Sequence, residues 1–399
     1  MLSGRILRRN LYRRRRSDTI KNGKERGEMK LKLGIIGLGA QGREYAMALD
    51  RSLVKSIVLC AVCNRSAPAL RWAEQTLSPS VGKYDNAEQM LRSAGIDAVL
   101  VCVPHYQHAE YVMLALRYGL HVLCEKPAGV YSDTVKQMSA AAQKAERVYA
   151  VMWNLRAEPA YRRLKQILDA GELGEIRRVT WIATDWYRTQ AYYDSGGWRA
   201  TWAGEGGGIL MNQCAHNLDM LCWLFGLPKS VRAFCRYGVK RKIEVENDVT
   251  AYFEYPNGAE GIFVASTYEF PGTNYFEISG EYGKIVAERE RLLFYKCTES
   301  ETEFNRKCSS PFDTPEVVLE TLEMGPRKRE SYFLILENFA DAVLRGEALI
   351  ASGAEAVNEA LLCNAIQLSD WTGRSVCPET FSSDEFRKLL AEKIRNSEK

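Results

Sequence analysis

The sequence predicts an α/β protein in two parts: a parallel sheet with crossover helices, then an α+β domain built on an antiparallel or mixed sheet. Three observations predict it. From residue 31 to about 152, short apolar strands alternate with helical patterns. At the start of that stretch an apolar run, 31–37 (LKLGIIG), flows into Gly37-Leu38-Gly39-Ala40-Gln41-Gly42 and then into REYAMALD, whose apolar spacing is helical. Near Trp153 the alternation stops and strand signals cluster.

A G-x-G-x-x-G loop between a buried strand and a helix marks a Rossmann dinucleotide-binding domain. Gly37 permits the tight turn, Gly39 lets the backbone approach a pyrophosphate, and Gly42 lets the helix pack close, with its N-terminus toward the phosphates. Leu38, Ala40 and Gln41 complete the loop. SIVLCAV, AVLVCV, HVLCEK and YAVMW follow as strands, separated by helical patterns over Ala67–Thr76, Ala87–Ser93, 108–118 and Ser132–Lys144. The second part opens with a helix over 159–170. The segments IRRVTWIATDWY, VRAFCRYG, DVTAYFEY, GIFVASTYEF, YFEISGEYGKIVAE and RLLFYK then read as strands, broken by turns such as Pro256-Asn257-Gly258. A helix over 208–225 interrupts them, and helices over 332–344, 353–372 and 383–395 close the chain. Residues 298–327 are polar and irregular and read as a loop. The expected organisation is a basic leader over 1–28, the Rossmann domain over 29–152, a substrate-binding and oligomerisation domain over 153–380, and a C-terminal helix over 381–399.

Composition narrows the function. Residues 1–28 carry a net charge of +7 against +4 for the whole chain, so the rest is slightly acidic and offers no basic face for nucleic acid. The leader's arginine pairs lack the apolar stretch of an export signal, and the first strand begins just after Met29, which reads as the true start. No apolar run reaches the length of a membrane span, and the expected location is the cytoplasm. Eleven cysteines look reduced: Cys60 and Cys63 lie three apart on a strand and so point to opposite faces. With four histidines and no second CxxC, no metal site is expected.

The second strand ends at Asn64-Arg65, where an acidic residue would bind a ribose 2′-hydroxyl. The neutral Asn and the cation favour NADP over NAD, unless Arg65 is simply solvated. Glu125-Lys126-Pro127 ends another strand, at the sheet edge where ligands bind. Oxidising an alcohol sends a hydride to a nicotinamide and a proton to a base. A partly desolvated lysine beside a cationic ring has a lowered pKa suited to that proton, and Glu125 can orient it. The bland alternative is an exposed strand-end lysine. Pro104-His105, with His108 just beyond, ends a further strand at the same edge.

With Pro104–His108, Glu125-Lys126-Pro127 and the run from Gly206-Gly207-Gly208 through Asn212 and His216 to Asp219, the chain resembles the Gfo/Idh/MocA oxidoreductases over nearly all of residues 30–380. The resemblance implies a second domain with a large open sheet buried in oligomer contacts, here a homodimer or homotetramer. It also implies NAD or NADP as cofactor, and Lys126 and His216 flanking a sugar, sugar-derivative or cyclitol hydroxyl. The family often carries Asp at the position of Asn212 and Asn at that of His105. The Asn212 change removes a carboxylate that could orient the base. The family also contains members that cleave glycosides while retaining the cofactor, and non-catalytic dinucleotide-binding regulators.

Asn212 and His216 are four apart, hence on one helix face, with Asp219 next along it. A histidine there can move a proton near neutral pH, or be a buried structural residue. The segment 185–202 (DWYRTQAYYDSGGWRATW) is dense in aromatics and charged groups. Trp186 and Trp198 can stack on a sugar ring while Arg188 and Arg199 bind hydroxyls, or the segment is an interface loop. Asn154, just past the YAVMW strand, completes the expected substrate set.

Overall fold

The computed structural model describes residues 29–288, 291–323 and 330–397. The leader assigned to 1–28 lies outside the described residues. The first sheet contains β1 (Leu31–Ile36), β2 (Ile57–Cys63), β3 (Gly82–Tyr84), β4 (Ala98–Val101), β5 (His121–Cys124) and β6 (Tyr149–Val151). They pair in parallel in the order β3-β2-β1-β4-β5-β6. Helices cover both faces, which is why these strands read as nearly continuous apolar runs. Leu33, Ile35, Val99 and Leu123 are fully buried. Strand order reverses between β1 and β4, so a crevice opens at their carboxyl ends. Gly37 sits there at φ +101°, and a Cβ on it would lie 2.2 Å from the Cys102 carbonyl oxygen. A Cβ on Gly42 would lie 2.0 Å from the Gly37 carbonyl oxygen, so the helix Ala40–Asp50 can close on β1 only with glycine there.

The second sheet adds β7 (Ile176–Ala183), β8 (Ser230–Tyr237), β9 (Glu246–Glu254), β10 (Glu260–Ser266), β11 (Asn274–Gly280), β12 (Gly283–Glu288), β13 (Arg291–Cys297) and β14 (Val317–Glu323). Its order is β14-β13-β12-β11-β7-β10-β9-β8, with β7 and β10 parallel and every other pairing antiparallel. Alternation sets the faces: Val179, Trp181 and Ala183 are buried while Thr180 and Ile182 between them are not. The inner face packs under the helices Pro159–Asp169, Ala215–Phe225 and Ala356–Thr372, with Trp181 stacked on Phe276 at 4.2 Å. The outer face is open and displays Phe234, Tyr252 and Ile262.

Three stretches of the chain depart from the sequence reading. Within 298–327, read as a loop, stand a helix over Glu301–Lys307 and the edge strand β14. The helix carries a Ser300 cap, whose Oγ accepts from the Glu303 amide, with acids in its first turn and bases in its last. Val317, Val318 and Leu319 are half exposed in succession, so β14 shows no alternation to read. The helix predicted over 208–225 starts only at Ala215, and Gly208 packs flat on β9: a Cβ on it would lie 1.9 Å from the Glu246 carbonyl oxygen. Finally, the helix Glu330–Arg345 turns back to the first sheet, and its Ile335, Leu336, Phe339 and Ala340 join that core.

Candidate active site

A cleft of about 1100 Å³ runs from the glycine loop across the ends of β2, β4 and β5 to the second domain. All the residues predicted to hold the cofactor line it: Gly37 to Gly42, Asn64, Arg65, Pro104, His105, His108, Glu125 and Lys126. Of the predicted substrate residues it takes in Trp198, Arg199 and Asn212. The loop fits a dinucleotide. Gly39 is the N-cap of the helix Ala40–Asp50, no side chain caps that helix, and a Cβ on Gly39 would meet no atom within 4 Å. The helix amides are therefore left for an anion, with room for its phosphates to approach.

Lys126 Nζ crosses to the second domain, where it donates to the Asn212 carbonyl oxygen at 2.9 Å and lies 3.4 Å from Asn212 Oδ1. Burial pushes its pKa below the usual lysine range, opposed by the charges of Glu125, Glu205 and Glu359. Glu125 does not orient the ammonium directly, as the sequence reading allowed. Its carboxylate accepts from the Tyr45 hydroxyl at 2.6 Å and from the Lys126 amide at 3.0 Å, so it fixes the backbone of the strand end. Beyond Asn212 stands an acid the sequence reading missed. Glu205, 2% exposed, accepts from Asn212 Nδ2 at 2.5 Å and from the Ala200 amide at 2.6 Å. Burial pushes its pKa above the usual carboxylate range.

His105 is buried, with Nδ1 3.2 Å from the Glu205 carbonyl oxygen and its ring edge-on to Trp198. A carbonyl only accepts, so Nδ1 carries the proton and Nε2 is left as an acceptor. Burial drives its pKa well down, keeping the ring neutral. His108 is a brace rather than a cofactor ligand. Fully buried, it sets Nδ1 2.7 Å from the Pro127 carbonyl oxygen and Nε2 2.7 Å from that of Val103, so neither nitrogen is spare for a ligand. It ties the two strand ends that carry His105 and Lys126.

The remaining substrate candidates do not line this cleft. His216 is 7% exposed and packs edge-on to Trp153 at 5.6 Å. Asn212 precedes the helix that carries it, so the two do not share a helix face; the turn, not helical spacing, brings Asn212 to Lys126. Asp219 is committed elsewhere. It accepts two hydrogen bonds from Arg156, at 2.7 and 2.9 Å, both partners being 1% exposed. Asn154 Nδ2 donates to Ser331 Oγ at 2.9 Å, and Trp186 Nε1 donates to Asn217 at 3.3 Å. Arg188 stacks on Trp186 and on Tyr192, outside the cleft lining. Arg199 stacks on Tyr192 and Trp198 and donates to the Tyr192 hydroxyl, which Gln213 also reaches.

Arg65 is exposed at the cleft edge, 3.4 Å from Gln107 Oε1. Asn64 Oδ1 accepts from the Leu38 amide at 3.1 Å and so steadies the glycine loop. A second cation was overlooked: Arg43, the residue after Gly42, donates to the Leu38 carbonyl and stacks on Trp72 at 4.8 Å. Its place right after the motif was the available signal. Among the described residues, no group of three or more His, Cys, Asp or Glu side chains can hold a metal ion.

A glycine-loop cleft at the switch point of a parallel sheet, closed by a lysine that reaches into a second domain, defines a two-domain nucleotide-binding oxidoreductase. Residues 31–153 match the oxidoreductase family with an NAD-binding Rossmann fold, and residues 161–286 match the GFO/IDH/MocA C-terminal domain. The chain belongs to the Gfo/Idh/MocA oxidoreductase family. It is 24% identical over 356 residues to the inositol 2-dehydrogenase of Rhizobium meliloti, covering 87% of this chain and 97% of that one. It is 26% identical over 229 residues to an uncharacterized oxidoreductase of Schizosaccharomyces pombe, covering 57% of this chain and 61% of that one. Among solved structures, the WlbA dehydrogenase of Chromobacterium violaceum in complex with NADH and UDP-GlcNAcA superposes with a TM-score of 0.73 at 26% identity, covering 88% of this chain and 96% of that one.

Proposed function

We propose that this protein transfers a hydride between a nicotinamide dinucleotide and a hydroxyl-bearing carbon of a sugar, sugar derivative or cyclitol. The observation that carries the reading is Lys126. Its amine lies in the same cleft as the uncapped glycine loop, is partly desolvated, and is held in place from the second domain. Residues 29–152, completed by the helix Glu330–Arg345, hold the dinucleotide, and the second sheet with the helices packed on it presents the substrate. A bound nicotinamide supplies the hydride acceptor. Lys126 takes the hydroxyl proton, His105 stays a neutral acceptor at the ring edge, and His216 supports the substrate end. The amides of the Ala40–Asp50 helix bind the pyrophosphate. Arg43 and Arg65, with a neutral Asn64 at the end of the second strand, favour a 2′-phosphate and hence NADP(H). The open outer face of the second sheet, with Phe234, Tyr252 and Ile262, is the surface on which copies associate into a dimer or tetramer. The cytoplasm suits eleven cysteines that are all free, and among the described residues no helix is long and apolar enough to cross a membrane. The test is a nicotinamide-absorbance screen of sugars, sugar acids and inositols with both dinucleotides. Turnover on none of them with either cofactor, in either direction, overturns the reading.

A further inference from the structure

Asn212 carries no charge, but its amide links two groups that do. Lys126 Nζ faces its oxygens and the Glu205 carboxylate faces its NH2, which fixes the orientation of the amide. Glu205 is buried, and the charges of Arg199 and Lys126 act on it. Its main-chain carbonyl meets His105, so one residue contacts both the Asn212 side chain that faces the base and the histidine beside it. We propose that Glu205 is the positioning carboxylate of this active site, acting through the Asn212 amide to aim Lys126 and to set its basicity. The inference rests on the reading of Lys126 as the group that takes the proton. The carboxylate that an aspartate in place of Asn212 would supply directly is here delivered one side chain further back.

Hydrogen-bond polarity makes the claim specific. Both neighbours of the Glu205 carboxylate, the Ala200 amide and Asn212 Nδ2, are donors, so only a carboxylate accepts on both oxygens. In Glu205→Gln the new NH2 faces one of them. If it faces Asn212, that amide turns over and points its own NH2 at the Lys126 ammonium. Lys126 then loses its side-chain acceptor and a compensating charge. Glu125, Glu359 and Arg199 also act on Lys126, and they stay unchanged.

The experiment compares Glu205→Gln, Asn212→Asp and the double variant, by the pH profile of kcat/KM in the oxidative direction, by dinucleotide affinity from fluorescence, and by thermal midpoint. Removing a nearby negative charge lowers an amine's pKa, so in Glu205→Gln the ascending limb is expected to move down by about half to one pH unit. Its plateau is expected to fall about 10- to 100-fold, with dinucleotide affinity within about threefold. Asn212→Asp alone sets two carboxylates in contact, which share a proton. In the double variant the introduced carboxylate accepts from Lys126 and from the NH2 of the introduced glutamine amide, while the oxygen of that amide accepts from Ala200. The plateau is then expected to return to within about threefold of the parent. Because the double variant keeps both the charge and the hydrogen bonds, it decides the matter even where Glu205→Gln folds poorly. An unmoved limb in Glu205→Gln, or a double variant no better than the single, overturns the proposal and leaves Glu205 a structural residue. Full activity in Lys126→Met overturns the underlying reading instead.

Discussion

Replacing Lys126 with methionine isolates the chemical step from binding. Methionine approximates the stem of lysine but has no proton acceptor. The lost interactions are a hydrogen bond of 2.9 Å to the Asn212 carbonyl oxygen and a longer contact of 3.4 Å to Oδ1. Their loss costs about 1–3 kcal/mol through the unpaired acceptor. Against that, a cation whose pKa is depressed by burial is removed. A base with a lowered folded-state pKa holds its proton less tightly when folded, so at neutral pH it burdens the fold and its removal gives stability back. The two effects oppose each other, and the thermal midpoint is expected to stay within a few degrees. Rate is another matter. A positioned proton acceptor contributes about 10²- to 10⁴-fold, or about 3–5 kcal/mol of barrier. Turnover followed by nicotinamide absorbance is expected to fall by that factor, dinucleotide affinity to hold within about threefold, and the ascending pH limb to vanish. Near-parental turnover, or the same limb still present in the variant, would refute the assignment of the proton to this amine.

Gly39→Ala has space and is expected to melt normally while losing at least about tenfold in dinucleotide affinity, whereas Gly42→Ala, with no space for its Cβ, is expected to lower the thermal midpoint as well. Arg43→Ala with Arg65→Ala is expected to weaken NADP(H) binding and spare NAD(H); equal loss of both in a fluorescence titration would show the arginines to be indifferent to the 2′-phosphate. Asp219→Ala leaves the buried Arg156 with the half-exposed Glu355 at 3.0 Å as its acidic partner among the described residues, so urea unfolding is expected to show a loss of about 3 kcal/mol. Glu246, fully buried beneath Gly208, has its pKa raised by burial to about 7. Its folded form binds the proton more tightly than the unfolded chain, so stability is expected to fall as pH rises from about 4.5 to about 7, by up to about 3 kcal/mol, and Glu246→Gln to flatten that slope.

The cofactor half of the site was legible because it is local. A strand, a glycine loop and a helix lie consecutively in the chain, and each glycine answers to an identifiable clash or open space. Lys126 was legible for a similar reason, ending a strand of the same sheet. What the pattern could not carry was contact across the chain. Glu205 gave no periodic signal, and its role depends on a turn that places Asn212 between it and a lysine 79 residues earlier in the sequence. Helical spacing suggested that Asn212 and His216 share a face, but the glycine run before them forms no helix. Asp219 looked available until its partner, Arg156, appeared 63 residues away. His108 looked like a ligand because sequence cannot say which way an imidazole faces.

The helix Glu330–Arg345 bears on how the chain can be taken apart. After finishing the second sheet the backbone crosses again to the nucleotide half, where Phe339 and Leu336 complete the first core and Asn338 anchors the stretch that leads to Ala351. The nucleotide module is thus a discontinuous piece of sequence, in which a stretch beyond residue 330 joins the N-terminal sheet. An attempt to express residues 29–152 by themselves would leave the flank of β1 and β2 bare, and a graft of this module onto another substrate domain would have to carry the 330–360 segment with it. Because the helix Ala356–Thr372 then returns under the second sheet, the backbone passes between the halves three times, which restricts the ways in which they can turn against each other.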